Sequence, residues 1–417
     1  MSSLSPEQIQ LIKATVPVLQ QHGTTITTRF YNNMLTAHPE LNAIFNNVNK
    51  VNGHQPRALA GALFAYASHI DHLGALAPAV ELICHKHASL YIQPDQYQIV
   101  GKFLLEAMGQ VLGDALTPEI LDAWATAYWQ LANLMIGREA ELYQQADGWT
   151  DFRDFRVAKK VPESSEITSF YLEPVDATPL PTFRPGQYIS VQVFVPSLQF
   201  PQCRQYSLSD APRSDYYRIS VKREAGVNTA SADADAHPGY VSNILHAHIN
   251  EGDVVKVSHP YGDFFLSDAA SPNPIVLLAA GVGLTPLTSI LNTLTSTPPD
   301  APHRQIQFIH GARSAATRAF TKDIKSLAEK YPNLHATFFN THPGPAEKQG
   351  VDYDHVGRVD LSQLDRSTDL FLDDATTEYY ICGPDQFMTA TRAALAAAGV
   401  SEDRIKLELF GTGGVPA

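Results

Sequence analysis

Apolar residues recur at three- and four-residue intervals through positions 59–70, 79–91, 96–112 and 120–143, a spacing that predicts helices with one buried face. Pro39, Pro78, Pro94 and Pro118 fall between these segments, where a missing amide hydrogen does least harm. The run Ser5-Pro6-Glu7-Gln8 carries a helix start: a hydroxyl cap, proline in the first turn, and glutamine three residues after the cap. Residues 1–148 therefore read as an all-helical domain.

After Gly148-Trp149 the period changes. Short segments rich in β-branched and aromatic residues occupy 155–159, 167–172, 188–194, 217–222 and 253–257, punctuated by turns such as Arg184-Pro185-Gly186. That pattern predicts a compact antiparallel barrel over residues 149–268. Beyond it, strands expected at 275–280, 305–310, 335–339 and 378–382 alternate with helical patterns at 287–294 and 322–330. Alternation of this kind implies a parallel sheet covered on both faces, across residues 269–417. Residues 228–238 read as a small, polar, acidic surface insertion and 341–355 as a long polar loop.

Composition adds limits. A chain of 417 residues is too long for one core and fits two or three domains. A formal net charge of -13 disfavours nucleic acid or an anionic membrane as a main partner, while leaving room for anionic small ligands in a locally positive pocket. The polar start has no apolar signal core, and the longest apolar run, 275–280, is too short to span a bilayer. Cys84, Cys203 and Cys382 are too dispersed for a disulfide framework or a metal cluster, so a reducing, cytoplasmic compartment is expected.

Three short motifs bear chemistry. Gly281-Val282-Gly283-Leu284-Thr285-Pro286 follows an apolar strand and opens a helix, where glycines let a pyrophosphate approach the backbone and the helix N-terminus supplies donors. Arg204-Gln205-Tyr206-Ser207 offers a guanidinium for phosphate, a ring to lie against a flavin, and a hydroxyl for a ring nitrogen. Cys382-Gly383-Pro384 ends a strand, at the sheet edge where ligands sit. Alone, each has a plainer reading: a tight strand-to-helix turn, a strand with one exposed Arg, a buried Cys. Their order and spacing, with Pro185-Gly186-Gln187-Tyr188, Gly239-Tyr240-Val241-Ser242-Asn243 and Glu408-Leu409-Phe410-Gly411, resemble the ferredoxin–NADP reductase-like superfamily over residues 152–417. The resemblance implies that Tyr188, Arg204, Gln205, Tyr206, Ser207, Gly239, Val241, Ser242, Glu408, Phe410 and Gly411 surround FAD. It also implies that residues 281–286 and 382–384 hold NAD(P)H.

In the helical third, Phe30-Tyr31, Pro39 through Phe45, Gln55, Leu59 and His87 follow one another in an order that looks like a globin. A helical imidazole is a good axial ligand for haem iron, and His69, His72 and His85 are candidates beside His87. Read together, the two halves resemble the flavohaemoglobins over nearly the whole chain. That resemblance implies an all-α globin, a β-barrel FAD domain and an α/β NAD(P) domain, carrying haem b, FAD and NAD(P)H. It implies His87 as the iron ligand within Lys86-His87-Ala88-Ser89, with Tyr97 and Glu139 behind it. Tyr31 and Gln55 then occupy the ligand side with Leu59 and Phe45, and Lys86 and Glu408 lie between the cofactors. The activity implied is nitric oxide dioxygenation to nitrate, by a monomer whose partners are O2, NO and NAD(P)H. Reduction of peroxides, quinones or ferric iron is the alternative, and a gas-binding globin ranks last. After the strand ending at His310, Arg313 and Arg318 are placed to meet a 2′-phosphate.

Overall fold

Ser5 caps the first helix, α1 (Pro6–Ala14), through the expected reciprocal pair: Gln8 N donates to the Ser5 hydroxyl at 3.2 Å and Ser5 N donates to Gln8 Oε1 at 3.0 Å. The computed structural model describes residues 4–45, 53–226, 239–296 and 304–411. Among the described residues five more α-helices follow in the first unit: α2 (Val16–Ala37), α3 (His54–Ser68), α4 (Ala77–Ala88), α5 (Pro94–Leu112) and α6 (Pro118–Gln145). Pro78, Pro94 and Pro118 lie inside first turns rather than between helices, because the first amides of a helix have no intrahelical acceptor to lose. Ile26, Phe30 and Met34 on one face of α2 meet Ile12 and Trp124 in a dry core.

Residue Trp149, just past α6, stacks on Phe155 at 5.8 Å and under the Arg153 guanidinium at 4.4 Å, which seats the chain on the next unit. There, β1 (Arg153–Pro162), β2 (Ile167–Pro174), β3 (Tyr188–Val195), β4 (Phe200–Ser207), β5 (Tyr217–Lys222) and β6 (Val254–Val257) pair antiparallel in the order β4-β3-β6-β1-β2-β5. A bridge from Leu208 to Ile219 joins the two edges, so the sheet curls into a barrel. Strand β4 is not among the strands expected from the pattern. Its run Pro201-Gln202-Cys203-Arg204-Gln205 lacks alternation, and it holds Pro201 without penalty because it starts at the sheet edge. Helix α7 (Tyr240–Ala247) follows; the insertion at 228–238 lies outside the described residues.

The last unit has β7 (Ile275–Ala280), α8 (Leu284–Leu294), β8 (Ile306–Ala312), α9 (Thr321–Lys330), β9 (Leu334–Asn340), β10 (His355–Val356), β11 (Glu378–Cys382), α10 (Asp385–Ala397) and β12 (Ile405–Glu408). All neighbouring strands are parallel, in the order β10-β9-β8-β7-β11-β12. Strand β7 is apolar throughout and covered on both faces, as a central parallel strand must be. The chain moves outward from β7 to β10, then returns to the other side of β7 as β11. The order therefore reverses between β7 and β11, and the carboxyl ends of such a pair are where open α/β sheets form their ligand crevice. No helix among the described residues is long and apolar enough to cross a membrane.

Candidate functional site

Three helices converge on His87. From near the end of α4 its Nδ1 faces the Glu139 carboxylate of α6 at 2.9 Å and the Tyr97 hydroxyl of α5 at 3.0 Å. Tyr97 in turn donates to the same Glu139 oxygen at 2.6 Å. Glu139 is 2% exposed, so it is no solvated helix charge; its neighbour Glu141 faces water and pairs with Arg138 instead. Burial and the adjacent carboxylate push the Tyr97 phenol well up, which keeps it a donor. With Nδ1–H pointed at a carboxylate, the imidazole is held in one tautomer, and among the described residues no protein group bonds Nε2.

Of the neighbouring histidines, His85 and His69 have ring nitrogens bonded elsewhere. His85 is buried between Glu81, 3.1 Å from Nε2, and the Gly262 amide, which donates to Nδ1 at 3.0 Å. His69 turns back to the Ala65 carbonyl at the end of α3, and His72 is exposed. Of the four histidines that spacing offers, His87 is the one whose ring is held by a buried carboxylate.

A second group lines the α2–α3 side of the helical core. Tyr31 of α2 meets the Phe45 ring edge-on at 5.5 Å and bonds the Gln55 side chain of α3. Burial pushes the Tyr31 phenol up against the smaller, opposing effect of that bond. Gln55 Oε1 is buried without a protein partner, and Leu59 packs against the same core.

In the barrel, β3 and β4 lie side by side in a register that sets Tyr188 opposite Ser207, Ile189 opposite Tyr206, Ser190 opposite Gln205 and Val191 opposite Arg204. Gln205 donates to Ser190 Oγ at 3.1 Å, while the Ser207 hydroxyl is buried with no protein partner. Tyr188 packs among Cys84, Ala88 and Tyr97 of the helical unit, and its phenol bonds Ser89. Gly239 precedes α7; Val241 is buried there and Ser242 Oγ accepts from the Glu224 amide at 3.3 Å. Glu408, at the end of β12, is buried, which pushes its carboxyl well up; Asp263 adds to this and Lys86 opposes it. Burial also lowers Lys86, whose Nζ donates to Gly411 O at 3.1 Å. Phe410 beside it is 45% exposed, an aromatic ring with an open face. The rest of the tail, 412–417, lies outside the described residues.

At the crevice between β7 and β11 the two remaining motifs touch. A Cβ on Gly283 would lie 2.2 Å from the Cys382 carbonyl oxygen, so glycine there lets the turn dock on β11. Gly281 has φ +57 and its carbonyl accepts from His310 Nε2 at 2.9 Å. Gly281 is exposed and Val282 half-buried against the core ahead of α8, whose first amides have no side-chain cap. Leu284, Thr285, Pro286 and Cys382 point into the core; Gly383 and Pro384 form the short turn into α10. The expectation for Arg318 is corrected. It is buried, bonds the Asp352 and Phe339 carbonyls and Asn340 Oδ1, and stacks on Phe338, so a 2′-phosphate does not reach it. Arg313 stays at the surface, paired with Glu166. The bond by which His310 of β8 holds this turn is one that the sequence pattern does not announce.

These residues suit the groups that the sequence implies: an anchored imidazole with an uncommitted Nε2, an orphaned buried hydroxyl at Ser207, and an uncapped helix start in a switch-point crevice. Together they define a helical haem-binding unit joined to a flavin and nicotinamide oxidoreductase. Comparison with known proteins agrees. The Globin family model matches residues 28–135, and that of the Oxidoreductase NAD-binding domain matches 277–393. The Flavohemoprotein of Bordetella parapertussis is 51% identical, covering 99% of this chain and all of its own. That of Rhizobium meliloti is 46% identical, covering 98% of each. A crystal structure of flavohaemoglobin from Malassezia yamatoensis with bound FAD and haem superposes with a TM-score of 0.83 at 29% identity, covering 98% of this chain and 100% of that one. The FAD/NAD-binding domain of nitric oxide dioxygenase from Vibrio cholerae matches 63% of this chain and 99% of its own, at 34% identity and a TM-score of 0.53. The chain belongs to the flavohaemoprotein family, an oxidoreductase with haem, FAD and NAD(P)H as its cofactors.

Proposed function

We propose that this protein is a nitric oxide dioxygenase. Two molecules each of nitric oxide and dioxygen become two nitrate ions, using the two electrons of one NAD(P)H and releasing one proton. The observation that carries the reading is the buried Glu139 carboxylate on Nδ1 of His87, 2.9 Å away. A carboxylate there makes the imidazole a stronger electron donor to iron, which favours oxygen chemistry over reversible storage. When bound, haem supplies the iron for oxygen, and FAD converts two-electron into one-electron transfer.

The protein's own part is placement. His87 is the iron ligand, with Tyr97 and Glu139 fixing its tautomer. Tyr31, kept protonated by burial, aims its hydroxyl proton into the ligand side, and Gln55 steers that hydroxyl. Leu59 and Phe45 exclude water. Tyr188, residues 204–207, Gly239, Val241, Ser242, Glu408 and Phe410 surround the flavin, with Ser207 supplying the hydroxyl that has no protein partner. Residues 281–283 and 383–384 receive the nicotinamide dinucleotide, and Lys86 and Gly411 link helical unit to tail between the two centres. We divide the chain at 148/149 and 268/269, as a monomer whose domains contact one another within one chain. Free, buried Cys84, Cys203 and Cys382 suit a reducing cytoplasm.

The test is nitrate formation by NAD(P)H-reduced protein given oxygen and nitric oxide. His87→Ala should abolish nitric oxide consumption and keep NAD(P)H-driven reduction of a flavin-level acceptor. Wild-type protein that consumes nitric oxide without nitrate, or a His87→Ala variant with full turnover, would defeat the reading.

A further inference from the structure

Strand β4 carries residues 204–207 toward the flavin, and two residues earlier it reaches the helical unit. Gln202 is 0% exposed. Its carboxamide Nε2 donates to the main-chain oxygens of Asn42 at 2.9 Å and Phe45 at 3.2 Å. Those oxygens lie within and just after the short turn Pro39–Ala43. A buried amide is costly unless it is bonded, so these contacts are what make a glutamine tolerable in that position.

The bond has a direction of influence. Phe45 meets Tyr31 edge-on at 5.5 Å with ring planes at 76°, and Tyr31 bonds Gln55. One line of contacts thus runs from the flavin-side strand through Gln202 and Phe45 to the ring that carries the Tyr31 hydroxyl. We propose that Gln202 is a positioning residue through which the flavin-binding strand holds the distal side of the haem pocket. This rests on the haem assignment above but not on nitric oxide turnover.

The test uses the full-length holoprotein, reduced with dithionite, with carbon monoxide as probe. Its infrared carbon–oxygen stretch reports where the Tyr31 hydroxyl points, and the oxygen dissociation rate reports how well that hydroxyl is held. Gln202→Met keeps the length and removes the donors. It should shift or broaden the infrared band and raise the oxygen dissociation rate about two- to tenfold, the range of one hydrogen bond of ordinary net strength. Gln202→Asn, too short to span the gap, should move both in the same direction and serves if the Met variant fails to fold. Tyr91→Phe cuts a different bond between the same two units, His259 N to Tyr91 O at 3.1 Å, and should leave both readouts unchanged. Unchanged band and rate in both Gln202 variants would overturn the proposal. So would an equal change in Tyr91→Phe, which would mean general loosening of the interface. Loss of nitric oxide turnover alone leaves both readouts legible, whereas a wild-type chain with no Soret band would remove the haem assignment and this proposal with it.

Discussion

Glu139 is buried and held by two donors, so its replacement isolates a single effect. Glu139→Gln keeps the volume and removes the charge behind His87. Nitric oxide consumption should fall about 10- to 100-fold, the usual cost of losing an outer partner of a metal ligand, with NAD(P)H-to-flavin transfer unchanged. Stopped-flow traces of flavin and haem absorbance separate the two; equal slowing of both would contradict this. The residue scale is also where sequence reading stops short. Spacing offers four histidines, and only the structure shows that His85 spends both nitrogens on Glu81 and Gly262. A second prediction at this scale concerns pH. His259 packs edge-on against Trp149 and Tyr261, and burial pushes its imidazole down to about 4. The unfolded chain binds a proton there near pH 6.5 and the folded chain does not. Stability from this group is therefore full above pH 6.5 and lost as pH falls toward 4, by about 2 kcal/mol at pH 5. Urea unfolding at pH 7 and pH 5 should show His259→Phe losing less than wild type by roughly that amount; parallel losses would refute it.

Among elements, the turn into α8 separates two glycine roles that the motif alone does not distinguish. Gly281 has positive φ but nothing within 4 Å of where a Cβ would stand, so Gly281→Ala should cost about 1–2 kcal/mol of backbone strain. Gly283 has ordinary φ, yet an added Cβ would strike the Cys382 carbonyl at 2.2 Å. Gly283→Ala should cost more than about 3 kcal/mol or prevent folding of the last unit, read by thermal unfolding and by the KM for NAD(P)H. Similar costs for both would show that close packing is not the constraint. Apolar β7, with its uniform burial, is legible in sequence because a central parallel strand has no polar face. Strand β4 is not, since a sheet edge tolerates Pro201 and a polar run that break the alternation. The motif residues 284–286 read as ligand-facing because a glycine pattern carries no mark of which side chains the following helix turns inward, and the helix buries all three.

Across the whole molecule, the end of α4 and the turn after it act as a junction that no local pattern announces. Over seven residues, His85 accepts from Gly262, Lys86 reaches Gly411, His87 meets Glu139, Ser89 meets Ser190, and Tyr91 accepts from His259. Each of these bonds except that of His87 leaves the helical unit, so the position of the imidazole relative to barrel and tail is set by main-chain and hydroxyl contacts, which carry no sequence signature of pairing. The physical consequence is that electron delivery should depend on bonds far from either end of the reaction. Removing two of them together, in Ser89→Ala/Tyr91→Phe, takes no bond from residues 204–207 or from the crevice at β7, since the barrel partners of Ser89 are the Ser190 and Tyr188 hydroxyls of β3. Reduction of flavin by NAD(P)H should then stay within about twofold of wild type, while the following reduction of haem slows by about tenfold or more, because a displacement of about 1 Å in a reacting assembly costs up to about 100-fold. Anaerobic stopped-flow mixing with NAD(P)H resolves the two phases in one trace. Unchanged haem reduction would show that the Ser89 and Tyr91 bonds set no geometry for transfer.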